Sequence, residues 1–275
     1  MVSFSTLTRY LIALCFLFFA TACQQAMTKP GGATRVNPDS PTVLITGSNR
    51  GIGYAFVKHY AAAGWNVIAT ARNPGDADEL QAFAAANANV IIEQLDVTDH
   101  ARIETLAAEY RETPVDVLIN NAAILGDLKK QKFGSFDFEQ FELTMAINVF
   151  GPMKMTQEFL PSILLSDQKK VVTISSGLGS LKQMGGMKEM SYYKISKAGM
   201  NMSMRGIRAE LRPQGVIVAL LAPGMVGTQL LADSGWDGPS LTPDESAAAV
   251  AANIESLTLK DRGEPVNYNG RVIPW

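Results

Sequence analysis

The stretch Thr42-Val-Leu-Ile-Thr46-Gly47-Ser-Asn-Arg50-Gly51-Ile-Gly53 decides how this chain is read. A short uncharged run ends in a glycine-rich turn, and a helical stretch follows over roughly residues 51–63. The glycines allow a tight turn, let the backbone approach an anion closely, and let helix and strand pack together. The N–H groups that open the helix then face that anion, and the helix dipole adds to the attraction. The spacing is Gly-x-x-x-Gly-x-Gly. A glycine turn alone says little, since many helices start after one. Its place after the first strand of an alternating pattern gives it weight.

Outward from this turn, apolar runs alternate with helical windows. Strand candidates are Asn66–Ala71, Val90–Leu95, Val115–Asn120, Lys170–Ser175 and Gly215–Leu221, and Gly270–Trp275 could add a last one. Helical windows lie near 77–87, 99–112, 137–165, 191–212 and 243–257. Runs of four to six apolar residues without strict alternation suit parallel strands covered on both faces. Strands alternating with helices predict βαβ units and one doubly wound parallel α/β sheet, a single domain over residues 42–275.

Before that domain, Arg9 precedes the apolar run Tyr10–Ala20, and Thr21-Ala22-Cys23 follows. The run suits the core of a signal peptide better than a membrane span, and Cys23 stands where a bacterial lipoprotein is lipidated. Residues 1–23 are therefore read as a signal peptide with Cys23 as a membrane anchor, on the periplasmic side in a bacterium. An uncleaved anchor or a cytoplasmic protein is the alternative. Residues 24–41, rich in Gly, Pro and Thr, read as a flexible tether.

Of the 275 residues, 47% are hydrophobic and 18% charged, and the formal net charge is −2. That balance is ordinary for a globular core and recruits no nucleic acid. Two histidines, His59 and His100, and two cysteines, Cys15 and Cys23, argue against a zinc cluster, a disulfide scaffold and a Ser-His-Asp hydrolase.

Further motifs fall in a definite order: Asp96-Val97 after the third strand, Asn120-Asn121-Ala122-Ala123 after the fourth, and Asn148 in Ile147-Asn-Val-Phe-Gly151. Ser175-Ser176 closes the fifth strand, and Tyr193-x-x-x-Lys197 and Pro223-Gly-Met-Val-Gly-Thr228 come after it. With the Thr46–Gly53 turn, this series resembles the classical short-chain dehydrogenases/reductases, and among them the C-factor and sniffer-type carbonyl reductases. Ala123 stands where that family usually has Gly, and the interval from Ser176 to Tyr193 is longer than usual. The resemblance implies a Rossmann-type fold and a hydride transfer between a nicotinamide cofactor and a small carbonyl or alcohol substrate. It implies catalysis by Asn148, Ser176, Tyr193 and Lys197. In that scheme Tyr193 is the proton donor, Ser176 holds the carbonyl oxygen, Lys197 bonds the nicotinamide ribose, and Asn148 holds a water. It also implies cofactor contacts from Gly47, Ser48, Asn49, Arg50, Gly51, Ile52 and Gly53, from Asp96, Val97, Asn121 and Ala122, and from Pro223, Gly224, Val226 and Thr228.

Chemistry supports part of this independently. Free tyrosine titrates near pH 10. Lys197 lies one helical turn after Tyr193, where its charge would lower that value. Tyr192 competes for the role, but its neighbour four residues on is Ser196, which carries no charge. Cofactor choice is read after the second strand, where an NAD enzyme carries an acid. Here the chain has Ala71-Arg72, and Arg50 sits in the glycine turn, so the cofactor predicted is NADP.

Other features remain open at this level. Methionines 184, 187, 190, 200, 202 and 204 suit either an apolar substrate pocket or a core. Phe133, Phe136, Phe138 and Phe141 read as packing, and Gly224–Thr242 as a substrate lid. Ser191-x-x-Lys194 matches a hydrolase nucleophile motif, though its companion motifs are missing. A non-catalytic NADP-binding sensor and a homo-oligomer are further alternatives.

Overall fold

A computed structural model describes residues 36–184 and 186–275. The expected leader, Cys23 and the tether through residue 35 lie outside them. Seven parallel strands form one sheet: β1 (Thr42–Ile45), β2 (Asn66–Ala71), β3 (Val90–Gln94), β4 (Val117–Asn120), β5 (Lys170–Ile174), β6 (Ile217–Ala222) and β7 (Val266–Asn267). Their order is β3-β2-β1-β4-β5-β6-β7. The chain leaves β1 toward β2 on one side and returns to β4 on the other, so the crossovers part between β1 and β4. In such sheets ligands bind outside the carboxyl ends of the strands at this point.

The apolar runs are buried on both faces because successive side chains point to opposite sides. On β1, Val43 and Ile45 join one core with Phe56, Val57, Leu80, Val250 and Ile254, whereas Leu44 joins the other with Ile103, Leu106, Met155, Phe159 and Ile163. Helices α1 (Gly51–Ala62), α2 (Asp78–Ala86) and α8 (Pro243–Ser256) supply the first layer. Helices α3 (His100–Glu109), α5 (Gly151–Leu165) and α6 (Ser191–Leu211) supply the second. Two shorter helices, α4 (Phe138–Met145) and α7 (Gln229–Asp233), lie beside the carboxyl ends.

Three expectations change. The helical window 137–165 is not continuous, because a π-helical turn over Ala146–Phe150 separates α4 from α5. The last strand is Val266–Asn267 rather than 270–275. The terminal segment folds back instead, bridging Val272 to Val266 antiparallel. Residues 36–41, read as the end of a tether, are fastened to the domain. The buried Asn66 side chain donates to the carbonyls of Asn37 (2.8 Å) and Ser40 (2.9 Å) and accepts from the Asn37 N–H (2.9 Å). The composition of this segment predicts a turn, and Asn66 supplies the partners that fix it.

Candidate active site

The glycine turn sits at the carboxyl end of β1. Gly47 and Gly51 have φ of 68° and 58°, a region that disfavours other residues. Gly53 is needed for another reason: a Cβ there would lie 2.1 Å from the Gly47 carbonyl oxygen and 2.6 Å from Asn121 Nδ2. Asn121 causes that crowding by donating to the carbonyls of Thr46 (2.9 Å) and Gly47 (3.0 Å). Thr46 answers by accepting the N–H groups of Asn121 (3.0 Å) and Ala122 (3.1 Å) on its hydroxyl. Ser48 is buried, donating its hydroxyl to the Ile45 carbonyl and its N–H to Thr70. Asn49 and Arg50 stay exposed.

Helix α1 begins at Gly51 with no side-chain cap at Arg50 and no acid in its first turn. Its leading N–H groups and positive dipole end therefore face outward, open to an anion. Arg72 is exposed just beyond β2, and neither it nor Arg50 is ion-paired among the described residues. Asp96 follows β3, where Thr98 donates to its Oδ1 through N–H (2.9 Å) and hydroxyl (2.7 Å). Val97 packs against Gly151, where a Cβ would approach within 3.0 Å. Beyond β6, Pro223 accepts from the Ser246 hydroxyl, and Gly224 turns with φ 84° against the Tyr268 ring. Val226 bridges to Leu241. This closes the expected lid into a loop that carries α7. Thr228, at the start of α7, reaches back to Gly51: a Cβ there would lie 3.2 Å from its methyl carbon.

The second cluster stands at the ends of β4 and β5. Helix α6 places Tyr193 and Lys197 one turn apart on one buried side, and Tyr193 is hydrogen-bonded to Ser176. Lys197 is 3% exposed and donates to the Ile174 carbonyl (2.8 Å), with its Nζ 5.5 Å from the Tyr193 ring centre. Gly179 permits this approach, since a Cβ there would lie 2.9 Å from Asn201 Nδ2 and 3.1 Å from Lys197 Cβ. Ser175 donates to Asn201 Oδ1 (2.6 Å), further along α6.

Burial sets the acidities here. It pushes the Tyr193 phenol up to about 12, while the Ser176 hydrogen bond pulls weakly the other way. Burial also brings the Lys197 ammonium down to about 8. The expectation that Lys197 lowers the tyrosine is therefore not met, because desolvation dominates and the ammonium lies over the ring. Tyr193 is a neutral phenol at pH 7, the form that a proton donor needs.

Asn148 lies in the π-helical turn, a distortion frequent at functional sites. Its amide accepts from the Ile124 N–H (2.9 Å) and donates to the Ile124 carbonyl (2.9 Å) and the Ser196 hydroxyl (2.9 Å). Both N–H groups are thus used, and the side chain braces the segment after β4 against α6. Ser196 passes the contact on to the Tyr193 carbonyl at 2.8 Å.

Tyr192 is no competitor, because its hydroxyl is buried without a hydrogen-bond partner among the described residues. Nor does the Ser-x-x-Lys pair assemble, since Lys194 Nζ donates to the Met187 carbonyl (2.6 Å). Met200 and Met204 belong to the core, but Met190 joins Leu125 and Tyr193 in a small apolar cluster with Leu128, Leu178 and Leu230 packed on it. Phe136 and Phe141 contact Tyr192, and Phe133, although 95% exposed, meets Phe136 edge-on at 6.0 Å, whereas Phe138 is exposed and departs from the expected packing. Sequence reasoning missed Gly179, Leu125, Leu178, Leu230 and Gln131, and quoted Thr46 in the turn without giving it a role. Only Thr46, fixed between strand and glycine, carried a local signal.

The whole arrangement is that of a nucleotide-dependent oxidoreductase. A short chain dehydrogenase family model matches residues 41–237, and the chain belongs to that family. It is 32% identical over 238 residues to the 1-hydroxy-2-glutathionyl-2-methyl-3-butene dehydrogenase of Rhodococcus sp., covering 85% of this chain and 99% of that one. It also resembles an NADPH-bound carbonyl reductase from chicken fatty liver, with a TM-score of 0.78, 30% identity, and 86% and 99% of the two chains covered. The carbonyl reductase Sniffer of D. melanogaster gives a TM-score of 0.76, with 26% identity and 86% and 100% covered. The likeness expected from the motif series therefore holds in three dimensions.

The two buried groups fix a pH dependence. Lys197 gives up its proton near 8 and Tyr193 keeps its own until about 12, so between pH 6 and 10 the lysine is the one of the pair that changes charge. In the reductive direction kcat/KM, which reports the free enzyme, is expected to fall about tenfold per pH unit above that point. Lys197→Arg, whose guanidinium stays protonated, should move the inflection out of this window. A wild-type profile flat to pH 10 contradicts the assignment.

Proposed function

We propose that this protein is an NADP(H)-dependent reductase or dehydrogenase that interconverts a carbonyl and an alcohol on a small apolar substrate. The observation that carries this reading is the buried Tyr193 phenol, bonded to Ser176 with Lys197 across its ring. The residues present fit the cofactor. Its pyrophosphate suits the turn in which Gly47 and Gly51 hold left-handed backbone, and the uncapped start of α1. A 2′-phosphate suits Arg50 and Arg72, which carry no ion pair among the described residues. When bound, NADPH supplies a hydride to the carbonyl carbon. Ser176 then holds the substrate oxygen, and Tyr193 gives its proton to the developing alkoxide, which is the stronger base. Lys197, protonated below about pH 8, keeps its ammonium over the ring of the phenol that gives up the proton. Leu125, Met190, Leu178 and Leu230 around Tyr193 support an apolar substrate.

Replacing the hydroxyl tests the donor. Tyr193→Phe keeps the ring and is expected to lower kcat by two orders of magnitude or more, with NADPH affinity within about twofold. Comparable turnover in that variant overturns the assignment. Cofactor selection is tested by kcat/KM ratios. NADPH is expected to exceed NADH by at least about tenfold, equivalent to about 1.4 kcal/mol. Arg72→Ala should raise KM for NADPH and leave kcat unchanged, because the 2′-phosphate is remote from the reacting carbon. Equal use of both cofactors by the wild type makes these arginines plain surface residues.

The amino-terminal reading is part of the same proposal. Arg9, the apolar run to Ala20 and Cys23 support a lipoprotein anchored at a membrane through Cys23. Export would separate the domain from the cytoplasmic NADPH pool, so such a protein has to carry its cofactor tightly bound. Cys23→Ser should release the protein from membranes and change its processed mass. Unchanged fractionation and mass favour a cytoplasmic protein or an uncleaved anchor.

A further inference from the structure

Helix α6 bears Tyr193 in its first turn, and that turn lacks a cap of its own. The residue before it, Met190, sits in the left-handed region with φ 58° and ψ 40° and offers no side-chain acceptor. The first N–H groups of a helix need acceptors from elsewhere. One acceptor comes from far back in the chain: Gln131 Oε1 accepts the Tyr192 N–H at 2.9 Å. The other end of the same amide donates from Nε2 to the Leu125 carbonyl at 2.9 Å. Gln131 is 1% exposed, at the end of a short 3-10 turn over Leu128–Gln131. A polar side chain buried to that degree with both ends used is held in one orientation. Phe136 and Phe141 hold the Tyr192 ring from the side, at centre distances of 5.7 and 5.2 Å.

We propose that Gln131 is a positioning residue for the catalytic tyrosine: its amide supplies the missing cap of α6 and ties the turn that carries Tyr193 to Leu125. This rests on the reading of Tyr193 as proton donor. Leu125 belongs to the apolar cluster around the Tyr193 ring. The place of the phenol is therefore set by the segment after β4. Gln131 touches no reacting atom and acts through the Tyr192 backbone. A shift of the order of 1 Å in a reacting group costs about a hundredfold in rate.

Gln131→Met keeps the volume and removes both bonds. The expected result is a ten- to hundredfold fall in kcat, NADPH affinity by fluorescence within twofold of wild type, and faster amide hydrogen exchange at Tyr192. Gln131→Glu separates bonding from packing. Protonated, its carboxyl both donates and accepts as the amide does; ionised, it sets an oxygen against the Leu125 carbonyl. Its kcat should therefore approach wild type at low pH and fall as pH rises, relative to the wild-type profile. If the Met variant does not fold, the Glu profile decides alone. A Met variant with kcat within twofold, exchange at Tyr192 unchanged, or a Glu variant that follows the wild-type profile overturns the proposal. Tyr193→Phe with full turnover removes the underlying reading instead, whatever Gln131 does.

Discussion

The carboxyl ends of β1 and β4 approach one another so closely that no side chain fits between them, and the rest of the site depends on that contact. Asn121 reaches into the glycine turn to bond two carbonyls, and Thr46 accepts two N–H groups in return. A parallel sheet satisfies its backbone within the ladder, but at the strand ends those bonds stop. This exchange takes over where the ladder of β1 and β4 gives out. It leaves space for α1 to start directly beneath the turn, which is why Gly53 admits no Cβ. The N–H groups of that helix are then left for a ligand. One contact thus joins strand order, helix placement and anion site.

The catalytic side is organised by burial instead. Lys197 lies almost wholly inside the protein with the Ile174 carbonyl as its acceptor, and no carboxylate is paired with it among the described residues. An ammonium so placed is costly to keep charged. Folding therefore favours its neutral form, and the stability this group withholds below about pH 8 returns as pH rises toward the 10.5 of a free lysine. Lys170 is also buried and lowered by desolvation, with the carbonyls of Ile254 and Glu255 as its acceptors, whereas Lys154, between Glu104 and Glu158, is paired and raised. What sets Lys197 apart is its neighbour: its ammonium lies over the ring of Tyr193, as expected of perturbed groups that act together.

Sequence and structure agree where local pattern and global packing make the same demand. Thr42–Ile45 reads as a buried strand because both faces must be apolar, and Gly47, Gly51 and Gly53 are legible because backbone geometry leaves few other residues. The Tyr193–Lys197 pair is legible through helical spacing. Its acidities are not, since desolvation depends on everything packed around the pair, and burial outweighs the neighbouring charge. The π-helical turn at Ala146–Phe150 escapes for a similar reason. The pattern over 137–165 is helical throughout, and only the pair of hydrogen bonds between the Asn148 amide and the Ile124 backbone marks where the helix widens. Residues 36–41 look like a linker because the side chain that fixes them, Asn66, lies 29 residues further on from Asn37.

Helix α6 is both buried and poised for the same physical reason. It presents its first turn to the site, and bonds from three directions hold it: Ser176 at the phenol, Ser196 at the Tyr193 carbonyl with Asn148 donating to the Ser196 hydroxyl in turn, and Gln131 at the Tyr192 N–H. None of these partners is local except Ser196. Each of the others comes from a segment beyond the carboxyl end of β4 or β5, neighbouring strands of which β4 borders the crossover reversal. Topology brings those ends together first, and side chains of ordinary type become site residues through that meeting. The strained Met190 backbone is tolerated there because the neighbouring segments, rather than the helix itself, determine where the helix begins.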